Sequence, residues 1–452
     1  RNNPDLLAQQ NDRRTARAAS RAARADFLPS ASISNSFGYT AAGERRFGSV
    51  SIRESEPAYY SSSYSLGLSY DLSGAKLVQP SITRAQERAT EQRIVGAEAN
   101  LEAQVSQQYL SVLQAQEQVA QAEREVARTD EHVRLAQARF EVGAGTPLDV
   151  RRAEVQKGQA QVALLQARNS RATAALVLGQ LMGVNLQPDV RLTTEFVIFQ
   201  PQWEAEALIE QAVSANPNLR AARAQAGAAS TGVTAARSSY LPTLSFQMGW
   251  NGSVYRAGDI DPLVTQQIAG AEAQLEGCQQ SNALADLLGQ PRQDCGRFAF
   301  TPEAIRQSVR EQNSGYPFDY TRQPMQASLS VTLPIFTGLS RHQRVEEARA
   351  AAEDADYQVQ AGENQLRVDI GTALRNLQTA YETVQLQDQV IRTATEELRL
   401  ASERFRFGAA SSVEVTDAQT SLAQAEQARI DAVYNFHKSL AALEAFVGRP
   451  LR

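Results

Sequence analysis

Along two long stretches of the chain, an apolar residue recurs every seven positions. In the first stretch these are Val105, Val112, Val119, Val126, Val133 and Phe140; in the second, Ile370, Leu377, Val384, Ile391, Leu398 and Phe405. A sustained period of seven belongs to α-helices that supercoil side by side. No proline lies between Pro80 and Pro147, and none between Pro334 and Pro450. Since proline inside a helix costs roughly 3 kcal/mol, both stretches can run as very long, proline-free helices, predicted over 75–142 and 341–407. Each reaches a glycine turn and is followed by a shorter helix, over 147–182 and 412–447. Much of the remaining helical sequence is Ala, Gln, Glu and Arg: alanine lets neighbours approach closely, and the polar residues suggest a second, wetted face.

Elsewhere the period is two, the signature of strands. Strands are predicted over 31–39, 64–72, 243–250 and 327–333. Ile33, Phe37 and Tyr39 oppose Ser32, Ser34, Ser36 and Gly38; Tyr64, Leu66, Leu68, Tyr70 and Leu72 oppose Ser65, Gly67, Ser69 and Asp71. Leu244, Phe246, Met248 and Trp250 oppose Thr243, Ser245, Gln247 and Gly249, and Leu329, Val331 and Leu333 oppose Ser328, Ser330 and Thr332. One face is apolar with aromatics at its ends, the other small and polar, as in a transmembrane barrel with a watery interior. A soluble sandwich alternates too, but no segment here supplies the second apolar layer it needs. Small closed barrels need about eight strands, and an open edge in lipid leaves backbone groups unpaired. Several chains must therefore share one barrel.

The chain is also written twice. Asn3-Pro4-Asp5-Leu6 recurs as Asn216-Pro217-Asn218-Leu219, Phe27-Leu28-Pro29 as Tyr240-Leu241-Pro242, and Arg139-Phe140-Glu141-Val142-Gly143 as Arg404-Phe405-Arg406-Phe407-Gly408. The early motifs are offset by 213 residues and the late ones by 265, so the second copy holds 52 more, between Pro242 and Gly338. This divides the chain into a first repeat, 1–183, a linker, 184–215, and a second repeat, 216–452, with an insertion at 251–326. Helices over 4–28 and 216–240 open the two copies. The long helices would measure about 100 Å and the short ones about 54 Å and 38 Å. Two short helices stacked end to end should therefore match one long helix, with the linker wrapping the middle of the assembly.

Composition adds mainly exclusions. A net charge of −5 over 452 residues gives no reason to expect a nucleic-acid partner. The most apolar stretch, Ala174 to Val184, is too short for a membrane helix and is interrupted by Gln180. The opening Arg1-Asn-Asn-Pro carries no signal peptide and suggests that residues upstream were removed. His132, His342 and His437 are scattered, and no nucleophile, base and orienting group can be assembled into an active site. The chain is read as a non-enzyme without metal or cofactor. Gly143-Ala-Gly145 is not a nucleotide loop, lacking the preceding strand and the following glycine.

The duplicated helix–hairpin–helix order, the Asn-Pro-x-Leu and aromatic-Leu-Pro motifs, and the Phe-x-Val/Phe-Gly turns resemble the TolC family of outer membrane factors. The resemblance covers nearly the whole chain. It implies a mostly α protein with a membrane β-barrel: a homotrimer whose chains each give four strands to a shared twelve-stranded barrel, above a coiled-coil-like helical tunnel reaching from the outer membrane into the periplasm. It also implies an exit duct of a tripartite efflux pump or a type I secretion system, docking to a periplasmic adaptor and an inner-membrane pump. A trimeric surface fibre or adhesin and a soluble helical scaffold are the alternatives; neither explains both the duplication and the strands.

In that family the tunnel closes at its periplasmic tip. Here the matching turns carry Gly143, Gly145 and Thr146 in the first copy and Gly408 and Ser411 in the second, positions expected to meet the adaptor. The acidic positions match Asp149, Glu414 and Asp417, the expected gate, where threefold repetition would gather like charges that attract cations. Thr146-x-x-Asp149 and Ser411-x-x-Glu414 also read as helix capping boxes, with Pro147 at the first helical position; the two roles are compatible. Phe405 stands where a tyrosine of the family can hydrogen-bond, and Ala410 where an arginine can pair with the acids. The insertion links two barrel strands and so should lie outside the cell, where Cys278 and Cys295 would form a disulfide; two free, buried cysteines are the alternative.

Overall fold

The structure is a computed structural model that describes residues 2–47, 50–194 and 196–451. In chain order the elements are α1 (Pro4–Ala25), β1 (Ser30–Thr40), β2 (Gly43–Phe47), β3 (Val50–Glu56), β4 (Tyr59–Leu72), α2 (Gly74–Glu141), α3 (Pro147–Met182), α4 (Ala205–Ala215), α5 (Pro217–Ser238), β5 (Thr243–Ala257), α6 (Asp261–Leu287), α7 (Pro302–Ser314), β6 (Thr321–Arg322), β7 (Gln326–Thr332), α8 (Ser340–Arg406) and α9 (Ser412–Val447). They form two compact units: a helical one from residues up to Arg24, Val78–Ser238 and Thr337 onward, and a sheet unit from Ala25–Leu77 and Ser239–Phe336.

Several expectations need correction. The first helix stops at Ala25, three residues before its predicted end. The first long helix is not proline-free: α2 contains Pro80, in its second turn, where only the bond to the start of the helix is forfeited. Within the linker lies α4, and the insertion holds α6, α7 and a short 3-10 turn, Cys295–Phe298. A hairpin, β2 with β3, lies between the first two predicted strands. The fourth predicted strand is extended by a separate short piece: β6 and β7 both pair with β5.

In the sheet unit the antiparallel order is β1-β4-β5, with β6 and β7 beyond β5. Among the described residues β1 pairs only with β4, and β7 only with β5, so the sheet has two open edges. Register keeps the two faces chemically distinct. On one, Ser30 faces Ser69, Ser34 faces Ser65 and Ser36 faces Ser63, hydroxyls 2.7, 2.8 and 2.8 Å apart. On the other, Ile33 faces Leu66, Leu66 faces Trp250, and Tyr70, Phe246 and Leu329 form a row. Ile33, Leu329 and Val331 of this apolar face are exposed. At its end nearest the loops, aromatic rings meet those of residues 316–320 while Phe37 and Tyr60 stay exposed. Tyr316 stacks on Tyr60, Phe318 on Phe37 and Tyr320 on Tyr64, and Asn35 Nδ2 donates to the Tyr320 hydroxyl (2.9 Å). The disulfide Cys278–Cys295 ties α6 to the 3-10 turn with Cα atoms 5.8 Å apart, closing a loop whose constraint is of order 3 kcal/mol.

In the helical unit, short helices run along long ones. Arg13 and Arg17 of α1 pair with Glu91 of α2, and Lys157 and Arg168 of α3 with Asp130 and Glu123 of α2. In the second copy Arg223 of α5 meets Glu363, and Arg429 of α9 meets Asp388, both on α8. Exposed pairs of this kind contribute little energy, but they record the alignment. The Asn-Pro-x-Leu motif has a physical cause at the helix junctions. Asn3 Oδ1 accepts from the Asp5 and Leu6 amides, capping α1, while its Nδ2 donates to Leu181 O at the end of α3 (2.9 Å). Asn216 repeats this, capping α5 through the Leu219 amide and donating to Phe446 O of α9. One side chain thus satisfies orphan groups of two stacked helices at once. At both junctions the helix that receives the asparagine's bond, α3 or α9, ends on a glycine in the left-handed region, Gly183 or Gly448. A Cβ on Gly183 would sit 2.2 Å from Asn2 O, so only glycine permits the approach.

The main core joins Ile370, Leu374, Leu377 and Val384 of α8 to Phe436, Leu440 and Leu443 of α9 and Leu208 and Ala212 of α4. On its other side α9 meets α2, through Leu110, Leu113, Ile430 and Tyr434. The linker lies against α2 at this level: Gln116 exchanges hydrogen bonds with the Leu192 backbone in both directions.

Candidate gate at the paired glycine turns

Both turns are built by the same local rules. Gly143 and Gly408 lie at φ +72° and +80°, a conformation that costs glycine nothing. The following amide reaches back: Ala144 N donates to Arg139 O, and Ala409 N to Arg404 O, each at 2.8 Å. Together with the bonds from Gly143 to Phe140 O and Gly408 to Phe405 O, this is the six-to-one, five-to-two closure of a Schellman motif. In each copy the arginine then clasps its own turn, Arg139 Nη2 donating to Ala144 O (2.8 Å) and Arg404 Nη2 to Ala409 O (3.1 Å). Gly145 folds back on α2 so closely that an added Cβ would lie 3.2 Å from Arg139 Cβ.

The outgoing helices start on complete capping boxes, Thr146 with Asp149 and Ser411 with Glu414. Asp149 Oδ2 accepts from the Thr146 hydroxyl (2.7 Å) and amide (3.1 Å). These bonds, with Arg152 and Arg139 nearby, hold its carboxyl below the usual carboxylate range, so it is ionised at neutral pH. Glu414 accepts from the Ser411 amide and pairs with Arg404 Nη1 at 3.1 Å. Asp417 is exposed and has no hydrogen bond or ion pair among the described residues. Of the acidic residues singled out, then, two are engaged in capping and flanked by arginines, and Asp417 alone stands with its charge uncompensated.

The structure brings the two turns together through residues the sequence argument did not assign. Phe405 of α8 is buried, with the Arg139 guanidinium 4.4 Å over its ring and the His132 ring at 5.6 Å. The other newly evident group is apolar: Val142 and Leu148 in the first copy, Phe407 and Val413 at the repeat-equivalent positions in the second, all exposed. The arginines were legible, being part of the repeated Arg-Phe-x-x-Gly motif; the exposure of the apolar four was not.

His132 has a testable consequence. Burial pushes its pKa below the ordinary 6.5, against an opposing pull from Asp149, so the folded protein holds it neutral where the unfolded chain would protonate it. The unfolded state binds more protons below pH 6.5, and stability therefore falls as pH drops through that value. The thermal midpoint of the helical signal is expected to be lower at about pH 5.5 than at about pH 7.5, and His132→Phe should flatten that slope; an unchanged slope contradicts the assignment.

Residues 1–184 and 297–449 match the family of outer membrane efflux proteins. The outer membrane protein TolC of Vibrio cholerae is 27% identical over 255 residues, covering 55% of this chain and 55% of that one. The outer membrane efflux protein BepC of Brucella suis is 22% identical over 341 residues, covering 75% of this chain and 61% of that one. The chain thus spans little more than half the length of these curated relatives. A solved membrane protein from Pseudomonas aeruginosa superposes with a TM-score of 0.71 at 21% identity, over 99% of this chain and 91% of that one.

Proposed function

The chain belongs to the outer membrane efflux protein family and is an outer membrane protein reaching into the periplasm; on that premise we propose that it is one protomer of a homotrimeric exit duct of a tripartite efflux pump or type I secretion system. The observation that carries the reading is the sheet with one apolar face, one serine face and two open edges. A lone chain in lipid would leave both edges unpaired, at several kcal/mol per backbone group; three copies joined edge to edge remove the edges and enclose the serine faces around water.

Helix α3 supports a shared assembly independently. Its buried positions include Ala153, Ala160 and Ala175, while Leu148, Val155, Val162 and Leu176, spaced in sevens, are exposed. The larger apolar stripe faces away from this chain, as a seam awaiting another helix does. A surface fibre is not favoured, because the match is to efflux proteins.

The turns are the proposed periplasmic constriction and the adaptor's docking place. Gly143, Gly145, Thr146, Gly408 and Ser411 shape them, and the exposed Val142 and Phe407 offer apolar contact to an adaptor hairpin. Truncation of buried interface anchors costs about 2 kcal/mol or more. Val142→Glu with Phe407→Glu is therefore expected to reduce in-cell crosslinking to the periplasmic adaptor at least tenfold, with the outer membrane assembly intact. Undiminished crosslinking places the docking surface elsewhere.

A further inference from the structure

The two copies grip their turns alike but treat the equivalent phenylalanines differently. Phe140, closing the first long helix, is 44% exposed; Phe405, closing the second, is 4% exposed. Two of the groups against Phe405 come from the other copy. Arg139 lays its guanidinium 4.4 Å over the ring, and His132, two turns back along α2, approaches at 5.6 Å. Arg139 is divided between two tasks. Its Nη2 holds the Ala144 carbonyl of its own turn, while Nε and Nη1 are buried without a hydrogen-bond partner, leaving the rest of the charged plane to the aromatic face. Arg404 at the equivalent position is instead paired with Glu414. The same Nη2 of Arg139 lies 3.7 Å from where a Cβ on Gly408 would stand, so the second turn itself abuts the clasp.

The last polar link before the turns is Arg128 of α2 with Glu426 of α9, at 2.6 Å. Beyond it, among the described residues, no hydrogen bond or ion pair connects residues 130–149 with residues 398–419. Between that pair and Phe405 lies an open cleft of about 420 Å³, lined by His132, Leu135, Leu398, Ser402, Val415 and Gln419. Beyond this cleft the stack on Phe405 joins the two hairpins directly.

We propose that Arg139 is the positioning residue of the gate, pinning the second-copy hairpin to the first by stacking on Phe405, so that the tip opens when this stack is lost. The proposal rests on reading the turns as the constriction. Phe405 cannot hydrogen-bond, and Ala410 offers no charge to the acids; a cation over an aromatic face is the attraction these residues do supply.

Single-channel recording of the assembled protein in planar bilayers tests it. Phe405→Leu should raise the open fraction about fivefold, the range of an aromatic-stacked cation; Arg139→Gln, which also releases the Ala144 carbonyl, should raise it at least as much, and the double variant no further than Arg139→Gln alone, because the stack is already lost. Arg404→Gln, which loosens a turn without touching the stack, should have a smaller effect that adds to that of Phe405→Leu. Additive effects of Arg139→Gln and Phe405→Leu, or no effect of either, overturn the clamp. If the acidic substitutions at the turns still alter ion selectivity, the constriction stands and only the clamp fails; if those also do nothing, the constriction itself is wrong. Particle mass for each variant shows that the assembly is retained.

Discussion

Replacing Val155, Val162 and Leu165 together with serine is expected to leave the extracted protein as separate chains. These side chains are 61%, 53% and 66% exposed on α3, so they contribute little to the fold of the single chain. Burying each against a neighbouring helix is worth roughly 1.5–3 kcal/mol, and a ring of three chains repeats the loss at every interface. The same helix meets its own chain through alanines such as Ala153 and Ala160, which pack closely but bury little area. Helical content of the variant should match the parent, whereas its mass in detergent should fall to that of one chain. A variant that remains assembled would show that α3 faces solvent in the complex and that the sheet edges alone hold the chains together.

The second large effect is electrostatic. Replacing Asp149, Glu414 and Asp417 with alanine should weaken cation selectivity, with some rise in conductance as the opening widens. In the proposed trimer, threefold repetition would bring these carboxylates near one axis, where fixed charge favours counter-ions. The three are not equivalent. Asp149 is held by Thr146 with Arg152 and Arg139 close by, and Glu414 is paired with Arg404, so each already has much of its field offset. Asp417 has no such neighbour, and Asp417→Ala alone should reproduce most of the selectivity change. Removing Asp149 and Glu414 should instead cost helix stability, about 1 kcal/mol per capping box. Unaltered selectivity and conductance in the triple variant would mean that these acids are caps only and the constriction lies elsewhere.

The contrast between the acids and their arginine partners shows what the sequence could and could not disclose. Periods of seven and two are set by helix and strand geometry, so Val112, Ile370, Leu66 and Phe246 announce their elements directly. The capping boxes were equally plain, because Thr146 and Asp149 bond within one turn. The partner of Phe405 was not, since Arg139 lies in the other copy and its stacking depends on how two 67- and 68-residue helices meet. The hairpin β2–β3 was missed because its sequence, Gly-Glu-Arg-Arg-Phe answered by Val-Ser-Ile-Arg-Glu-Ser-Glu, is mostly charged and polar and carries no sustained apolar alternation. Helix α4 has an apolar face in Leu208, Ile209 and Ala212, but eleven residues between prolines read as linker until its packing on α8 is seen. The aromatic contacts to Phe37 and Tyr64 come from residues 316–320, far off in sequence and without periodicity.

The account stands most directly on the number of chains in the particle. Mass measurement of the complex extracted from outer membranes in mild detergent should give three chains, each contributing its open-edged sheet to one barrel. A stable monomer or dimer, with its sheet edges still unpaired, would contradict it.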